Sequence, residues 1–373
     1  MGIGKILAFA NEKGASDLHI SSGEPPIVRI DGDIQKVDMP SLPGDEVHSM
    51  LYDILNDQQR KIFEEKKEID FALDVKGIAR FRVNAFYQSR GEAIVFRTIP
   101  SIIKSLEELG LPMILADLTK KTKGLVLVTG PTGSGKSTTL AAMIDHRNSN
   151  SPGHIITVED PVEFVHPHKK SVVTQREVGI DTNSFGEALK NTLRQAPDVI
   201  LVGEIRDTET MEAAITFAET GHLCLATLHA NNANQSLERI INFFPAERHE
   251  QIYLLLSLNL KSIISQRLIP TIEDTRVAAL EILLDTPRIK DLILKKEIGL
   301  LKETMKQGVQ EGMQTFDQAI YDFYMQGKID YETAIAYADS ANDLRLRIKF
   351  DTPGHEGQEK ETENKSTFKI REQ

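Results

Sequence analysis

Short apolar runs alternate with polar turns through the first hundred residues. They predict a helix at about 2–13, strands at 17–21, 27–30 and 33–37, and a second helix over 44–65. Three further alternating strands are expected at 68–75, 79–88 and 93–98, with turns at Lys76-Gly77 and Ser89-Arg90-Gly91. Pro100 closes this small α+β unit, and 100–123 reads as a linker carrying one or two short helices. From residue 124 the pattern changes. Compact apolar runs at 124–129, 154–159, 199–202 and 223–227 have no polar alternation, as expected of parallel strands covered on both faces. Helical periodicity lies between them, at 138–148, 184–195 and 208–220, and the chain beyond Ala246 reads as mostly helical. The whole is predicted to be α/β, with a doubly wound sheet in 124–350. The last stretch, 351–373, is polar, charged and punctuated by Pro353, Gly354 and Gly357, and is expected to be a disordered tail; the alternative is a docking segment with Phe368 and Ile370 as anchors.

The strand at 124–129 runs into Gly130-Pro131-Thr132-Gly133-Ser134-Gly135-Lys136-Ser137 and then a helix starting near Thr138. A strand turning through glycines into a helix N-terminus makes a cup of backbone N–H groups suited to phosphate. At this spacing Lys136 reaches the β/γ-phosphates and Ser137 holds Mg²⁺, so the segment predicts a site for ATP or a similar triphosphate.

A triphosphate hydrolase also needs an acid near the metal, a group that activates water, and positive charge at the γ-phosphate. Glu204, just past the apolar strand 199–202, stands where a Walker-B acid belongs and is a second Mg²⁺ candidate. Glu159, Asp160 and Glu163 cluster at the end of the strand 154–159, and their mutual repulsion calls for a cation or a function. Glu163 is the expected base, with Glu159 and Asp160 supporting Mg²⁺. His222 and His229 flank one strand and are candidates for sensing the γ-phosphate or bridging subunits. Positive charge is available from Arg80, Arg82 and Arg97 in the first unit and from Arg194, Arg206 and Arg239 in the second.

Composition narrows the classes. A net charge of −11 argues against broad nucleic-acid binding. The single cysteine, Cys224, sits between leucines and permits neither an internal disulfide nor a cysteine-rich zinc ribbon. No run approaches the ~18 apolar residues of a membrane span, and the first residues lack a secretory pattern, so a cytoplasmic protein is expected.

Several motifs together resemble the hexameric ATPases of the secretion superfamily, and within them the type IV pilus retraction motors of the PilT/PilU type. The resemblance extends to about residue 350. It rests on Ala15-Ser16-Asp17-Leu18-His19, the phosphate loop, the Asp box from Ile156 to Glu163, Thr174 to Gly179, Val202 to Asp207, the His box from Glu219 to His229, and Gly312 to Asp317. It implies a PAS-like domain at 1–99, a RecA-like domain with C-terminal helices at 124–350, a homo-hexameric ring, and ATP with Mg²⁺ between the two domains. It also implies Glu163 as base, Glu204 as Walker-B acid, His222 and His229 as His-box residues, and Arg82 and Arg97 as arginines sent toward the phosphates. His229 to Gln235 and Ile240 to Pro245 are similar to the PilU branch, and Pro287 to Ile293 replaces the Ala-Ile-Arg-Asn motif of PilT-like chains. That branch implies an accessory motor acting with a PilT-like partner on an inner-membrane platform protein, with no membrane contact of its own. The rival within the superfamily is an assembly or secretion ATPase, which carries a four-cysteine module. A slow-hydrolysing partner that stabilises another motor's ring is a further alternative.

Overall fold

The computed structural model describes residues 2–30, 32–99 and 102–351. Six strands form the first sheet: β1 (Asp17–Ser21), β2 (Ile27–Ile30), β3 (Asp33–Lys36), β4 (Glu68–Val75), β5 (Ala79–Gln88) and β6 (Gly91–Ile99). Their order is β3-β2-β1-β6-β5-β4, antiparallel throughout. Alternation decides which face is covered. Leu18, Ile20, Phe81, Val83 and Phe96 bury one face against the helices Ile3–Glu12, Gly44–Ile54 and Asp57–Lys66. Arg80, Arg82 and Arg97 belong to the opposite face. The single helix expected over 44–65 is two: Asn56 accepts from the Gln59 N–H while the Gln59 side chain returns to Asn56, a capping box that starts a new helix.

The second sheet has β7 (Gly124–Thr129), β8 (Gly153–Glu159), β9 (Ser171–Glu177), β10 (Val199–Val202), β11 (Leu223–Leu228), β12 (Leu260–Pro270) and β13 (Arg276–Leu284), in the order β13-β12-β7-β11-β10-β8-β9. All pairs are parallel except β12 with β13. Every residue of β7, β10 and β11, Cys224 included, is buried, which accounts for their unbroken apolar sequences. The parallel registers bring Thr129, Glu159, Val202 and Leu228 to one edge of the sheet, where an α/β fold places its ligand.

Three strands depart from the sequence reading. β12 and β13 occupy part of the region expected to be helical, and β9 was not expected. Lys261, Ser262, Ser265, Gln266 and Arg267 interrupt any apolar run in β12, yet Ser262, Ser265 and Gln266 are buried, Ser265 with Thr129 and Glu281 of the flanking strands as partners. Gln266 turns toward the phosphate loop, whereas the neighbouring Arg267 pairs with Asp339 at 2.7 Å and lies 3.8 Å over the Phe316 ring. Arg267 thereby fixes the C-terminal helices, whose Phe316, Ile320, Ala334, Leu344 and Ile348 form a small core with Ile269. Asp351 ends the last helix, Ala341–Asp351, rather than opening a tail; the remainder of that expected segment, with Phe368 and Ile370, lies outside the described residues. None of the helices among the described residues is long and apolar enough to cross a membrane.

Candidate active site

The loop after β7 is built on backbone that admits only glycine at two points. Gly130 has φ +151°, and a Cβ there would lie 2.5 Å from both the Gln266 carbonyl oxygen and Ser134 Oγ. Gly135, at φ +87°, is the N-cap of the helix Lys136–Asn150. Pro131, Thr132 and Gly133 are exposed, Ser134 is buried, and Ser137 and Thr138 stand half-buried in the first helical turn. Gln266 fastens the loop to β12. Its Nε2 donates to the Ser134 carbonyl at 2.7 Å, and its Oε1 accepts from the Thr139 hydroxyl at 2.7 Å. Lys136 Nζ donates to the carbonyls of Gly130 (2.8 Å) and Pro131 (3.0 Å). Burial lowers the Lys136 pKa, against the opposing pull of the Glu204 and Glu163 carboxylates.

The acids beyond β8 and β10 take different environments. Glu204 accepts from Arg206 Nε and Nη2 at 2.8 and 2.7 Å, and its other oxygen lies 3.1 Å from His229 Nε2. Desolvation and the nearby Lys136 charge hold the His229 imidazole below its ordinary pKa, which favours the neutral ring. Asp160 faces outward to Arg206 at 3.4 Å, so it is separated from the two glutamates beside it in sequence. Glu159 turns inward. Its Oε1 accepts from the Thr157 hydroxyl at 2.6 Å and from Gln175 Nε2 at 3.2 Å. Burial pushes its pKa up to about 7, these hydrogen bonds working against the rise and the Glu163 charge adding to it. Glu159 shares a cavity of about 30 Å³ with Ser137, His166, Gly203 and Thr227. His166 is itself buried, leaves its Nδ1 without a partner, and is held neutral by desolvation with a pKa of about 4.

Glu163 is exposed, on a loop braced by β9. The residue before it, Val162, donates its N–H to Glu177 Oε2 at 3.1 Å; the residue after it, Phe164, gives its carbonyl to Gln175 Nε2 at 2.8 Å. The His166 N–H donates to Gln175 Oε1 at 2.8 Å. Gln175 and Glu177 lie in the motif Thr174 to Gly179 but carry no role read from sequence, and His166 and Gln266 belong to no motif at all. Each is recognisable only by what it touches, and no local spacing announces it.

Among the described residues no group of three or more His, Cys, Asp and Glu side chains is arranged to hold a metal ion. Mg²⁺ does not require one: it keeps several waters and takes one or two carboxylates plus substrate phosphates. Ser137 and Glu159, which line one cavity, and Glu204, past the neighbouring strand, offer hard oxygen donors of that kind.

The other candidates divide. His222 lies before the first residue of β11, whereas the phosphate loop and His229 follow the ends of β7 and β11. The histidines stand seven positions apart across β11, roughly 23 Å at ~3.3 Å per residue, so His222 does not join His229 at the phosphate loop of its own chain. Its Nδ1 lies 3.1 Å from the Thr220 hydroxyl instead. Arg82 and Arg97 are exposed cross-strand neighbours on the first sheet. Arg97 Nε donates to Asp17 Oδ1 at 2.9 Å. Burial alone would raise the Asp17 pKa, but the hydrogen bonds from Arg97 and Ser16 outweigh it and hold the carboxyl below the ordinary range. Arg194 and Arg239 are exposed, Arg239 near enough to His229 to oppose its protonation.

Comparison with known proteins agrees with this geometry. The chain is 56% identical over 346 residues to the type IV pilus ATPase PilU of Pseudomonas aeruginosa, covering 92% of this chain and 91% of that protein. It is 50% identical over 334 residues to the type IV pilus retraction ATPase PilT of the same organism, covering 90% and 97%. The crystal structure of the pilus retraction motor PilT with bound ADP superposes with a TM-score of 0.88 at 44% identity, over 93% of this chain and 99% of that one. Residues 2–330 match the family described as type II/IV secretion system protein, and the chain belongs to that family.

Proposed function

We propose that this chain is an ATP-hydrolysing motor that works in type IV pilus retraction, as an accessory to a PilT-like partner. One observation carries the reading: the ends of β7, β8, β10 and β11 bring the phosphate loop, Glu159, Glu204 and His229 to one sheet edge, with the Glu163 and Glu204 charges close enough to act on Lys136. The names of the similar proteins supply the pilus and the direction of work.

In this reading the loop N–H groups from Gly130 to Thr138 cradle the phosphates, and Lys136 exchanges the Gly130 and Pro131 carbonyls for β/γ-phosphate oxygens. Ser137 and Glu204 would hold Mg²⁺, with Glu159 and Asp160 in support; bound there, the ion neutralises charge on the β/γ-phosphates. Glu163 takes the proton from the attacking water. Its exposure leaves the carboxylate free for that task, while β9 fixes the backbone on either side. Arg206 and His229 fix the Glu204 carboxylate. Arg82 and Arg97 oppose each other across β5 and β6, Arg97 held by Asp17 and both exposed, and the resemblance makes them the arginines to neutralise phosphoryl charge from the first domain. His222 has a role only toward a neighbouring subunit.

The wider reading places residues 1–99 as a PAS-like domain, 124–350 as the RecA-like domain, six copies in a ring, and the ring in the cytoplasm at the pilus base, against an inner-membrane platform protein. The test is retraction in cells whose PilT-like partner is catalytically dead. Retraction that stops with Glu163→Gln here shows motor power from this site. Purified Glu163→Gln protein should bind ATP normally and turn it over at least ~10²-fold more slowly, the scale of a lost general base. Unchanged turnover would remove Glu163 from the role of base.

A further inference from the structure

The loop that carries Glu163 is held from both sides of the molecule. Glu177, at the end of β9, is only 5% exposed. Its Oε2 receives two donors: the Val162 N–H at 3.1 Å and Nη2 of Arg80, from the first sheet, at 3.2 Å. Arg80 has an acid near at hand, since Asp74 faces it across β4 and β5. The guanidinium pairs instead with the carboxylate 97 positions away in the second sheet. Arg82, two residues along on the same face, also acts electrostatically on Glu177. A buried carboxylate shared between an arginine and a backbone N–H has little freedom: moving the arginine changes the position or charge balance of the oxygen on which Val162 hangs. Val162 precedes Glu163 directly, and on the far side Phe164 is tied to Gln175 of the same strand. The segment between these anchors is short, so a displacement of Val162 is passed to Glu163.

We infer that Arg80 is a positioning residue, through which the placement of the first domain against the second sets the geometry of Glu163 by way of Glu177 and the Val162 N–H. This rests on the reading of Glu163 as the base. Any movement that draws the first domain away from β9 would loosen the base loop before it disturbs the phosphate loop, whose own fastening runs through Gln266. Hydrolysis would thereby be tied to domain position without Arg80 touching nucleotide.

The experiment compares the full chain with Arg80→Ala, Arg80→Gln, Glu177→Gln and the Arg80→Ala/Glu177→Gln double variant. Glu177→Gln retains an oxygen that can accept from Val162 while removing the charge that holds Arg80. The expected result is a roughly tenfold fall in kcat for each single variant, as for a modest misplacement of a catalytic group, with the KM for ATP within about twofold. The double variant should be no worse than the poorer single, because both act on one linkage. Hydrogen exchange at the Val162 amide should quicken in both Arg80 variants. Independent losses that multiply, a raised KM with kcat intact, or unchanged kcat and exchange would each overturn the inference. Glu163→Gln, measured alongside, separates the two ideas. If it is inactive while the Arg80 variants behave like the parent, the linkage fails and the base stands. If it stays active, the base assignment fails and the inference with it, and quickened exchange at Val162 would then report a contact without catalytic consequence.

Discussion

Glu159→Gln should stabilise the protein at alkaline pH and leave its stability near pH 4.5 almost unchanged. The side-chain hydrogen bonds from Thr157 and Gln175 land on Oε1, and the Glu163 backbone N–H also donates to the carboxyl. A glutamine keeps that oxygen, so the substitution removes the charge while preserving the two side-chain hydrogen bonds. In the folded protein the carboxyl holds its proton up to about pH 7, against an ordinary value of 4.5. Between those values the folded state binds a proton that the unfolded state has released, so stability falls as pH rises through the window and levels off above it. The difference of about 2.5 units corresponds to about 3 kcal/mol of stability absent at pH 8, at ~1.4 kcal/mol per unit. The glutamine variant has no such term. The assay is a thermal melt of both proteins at half-unit steps from pH 4.5 to 8.5, without nucleotide or divalent cation. The variant's advantage in Tm should open through this window and then stay constant. A gap independent of pH would mean that Glu159 titrates normally. A variant less stable than its parent at pH 8 would mean that the ionised carboxylate is used by the fold, and the account of a desolvated acid would be wrong.

Two other substitutions probe the phosphate loop. Lys136→Ala should reduce ATP turnover at least ~10²-fold, since it removes the fixed cation at the β/γ-phosphates; unchanged turnover and ATP affinity would remove the loop from the site. Gln266→Leu leaves the Ser134 carbonyl without its donor, whereas the Thr139 hydroxyl can turn to its own helix. The cost should be about 1–3 kcal/mol for one orphaned buried acceptor, read as a lower Tm with weaker ADP binding in titration. A lower Tm with unaltered ADP affinity would mean that the loop keeps its shape without β12.

How much of the site was legible in sequence follows from where its constraints lie. The phosphate loop is specified by contiguous residues, because one turn must supply the glycines, the lysine and the hydroxyl, and its reading carried over to the fold. Glu204 and the Glu159–Glu163 cluster were equally plain, each directly after an apolar run. The fate of the cluster was not: the strand end sends Glu159 inward and Asp160 out to Arg206, and no pattern of three acids says which is which. Gln175, Glu177 and Gln266 had unreadable roles for a related reason. They occupy strands whose polar residues are paid for by partners far along the chain, Ser134 for Gln266 and Arg80 for Glu177, and a polar strand reads as no strand at all. His222 and His229 flank one strand at opposite ends, and the fold shows what that separation means. In a parallel sheet every strand points the same way, so a residue after a strand shares an edge with the phosphate loop and a residue before one lies at the opposite edge. His229 follows β11 and His222 precedes it, so within one chain only His229 shares the edge of the phosphate loop.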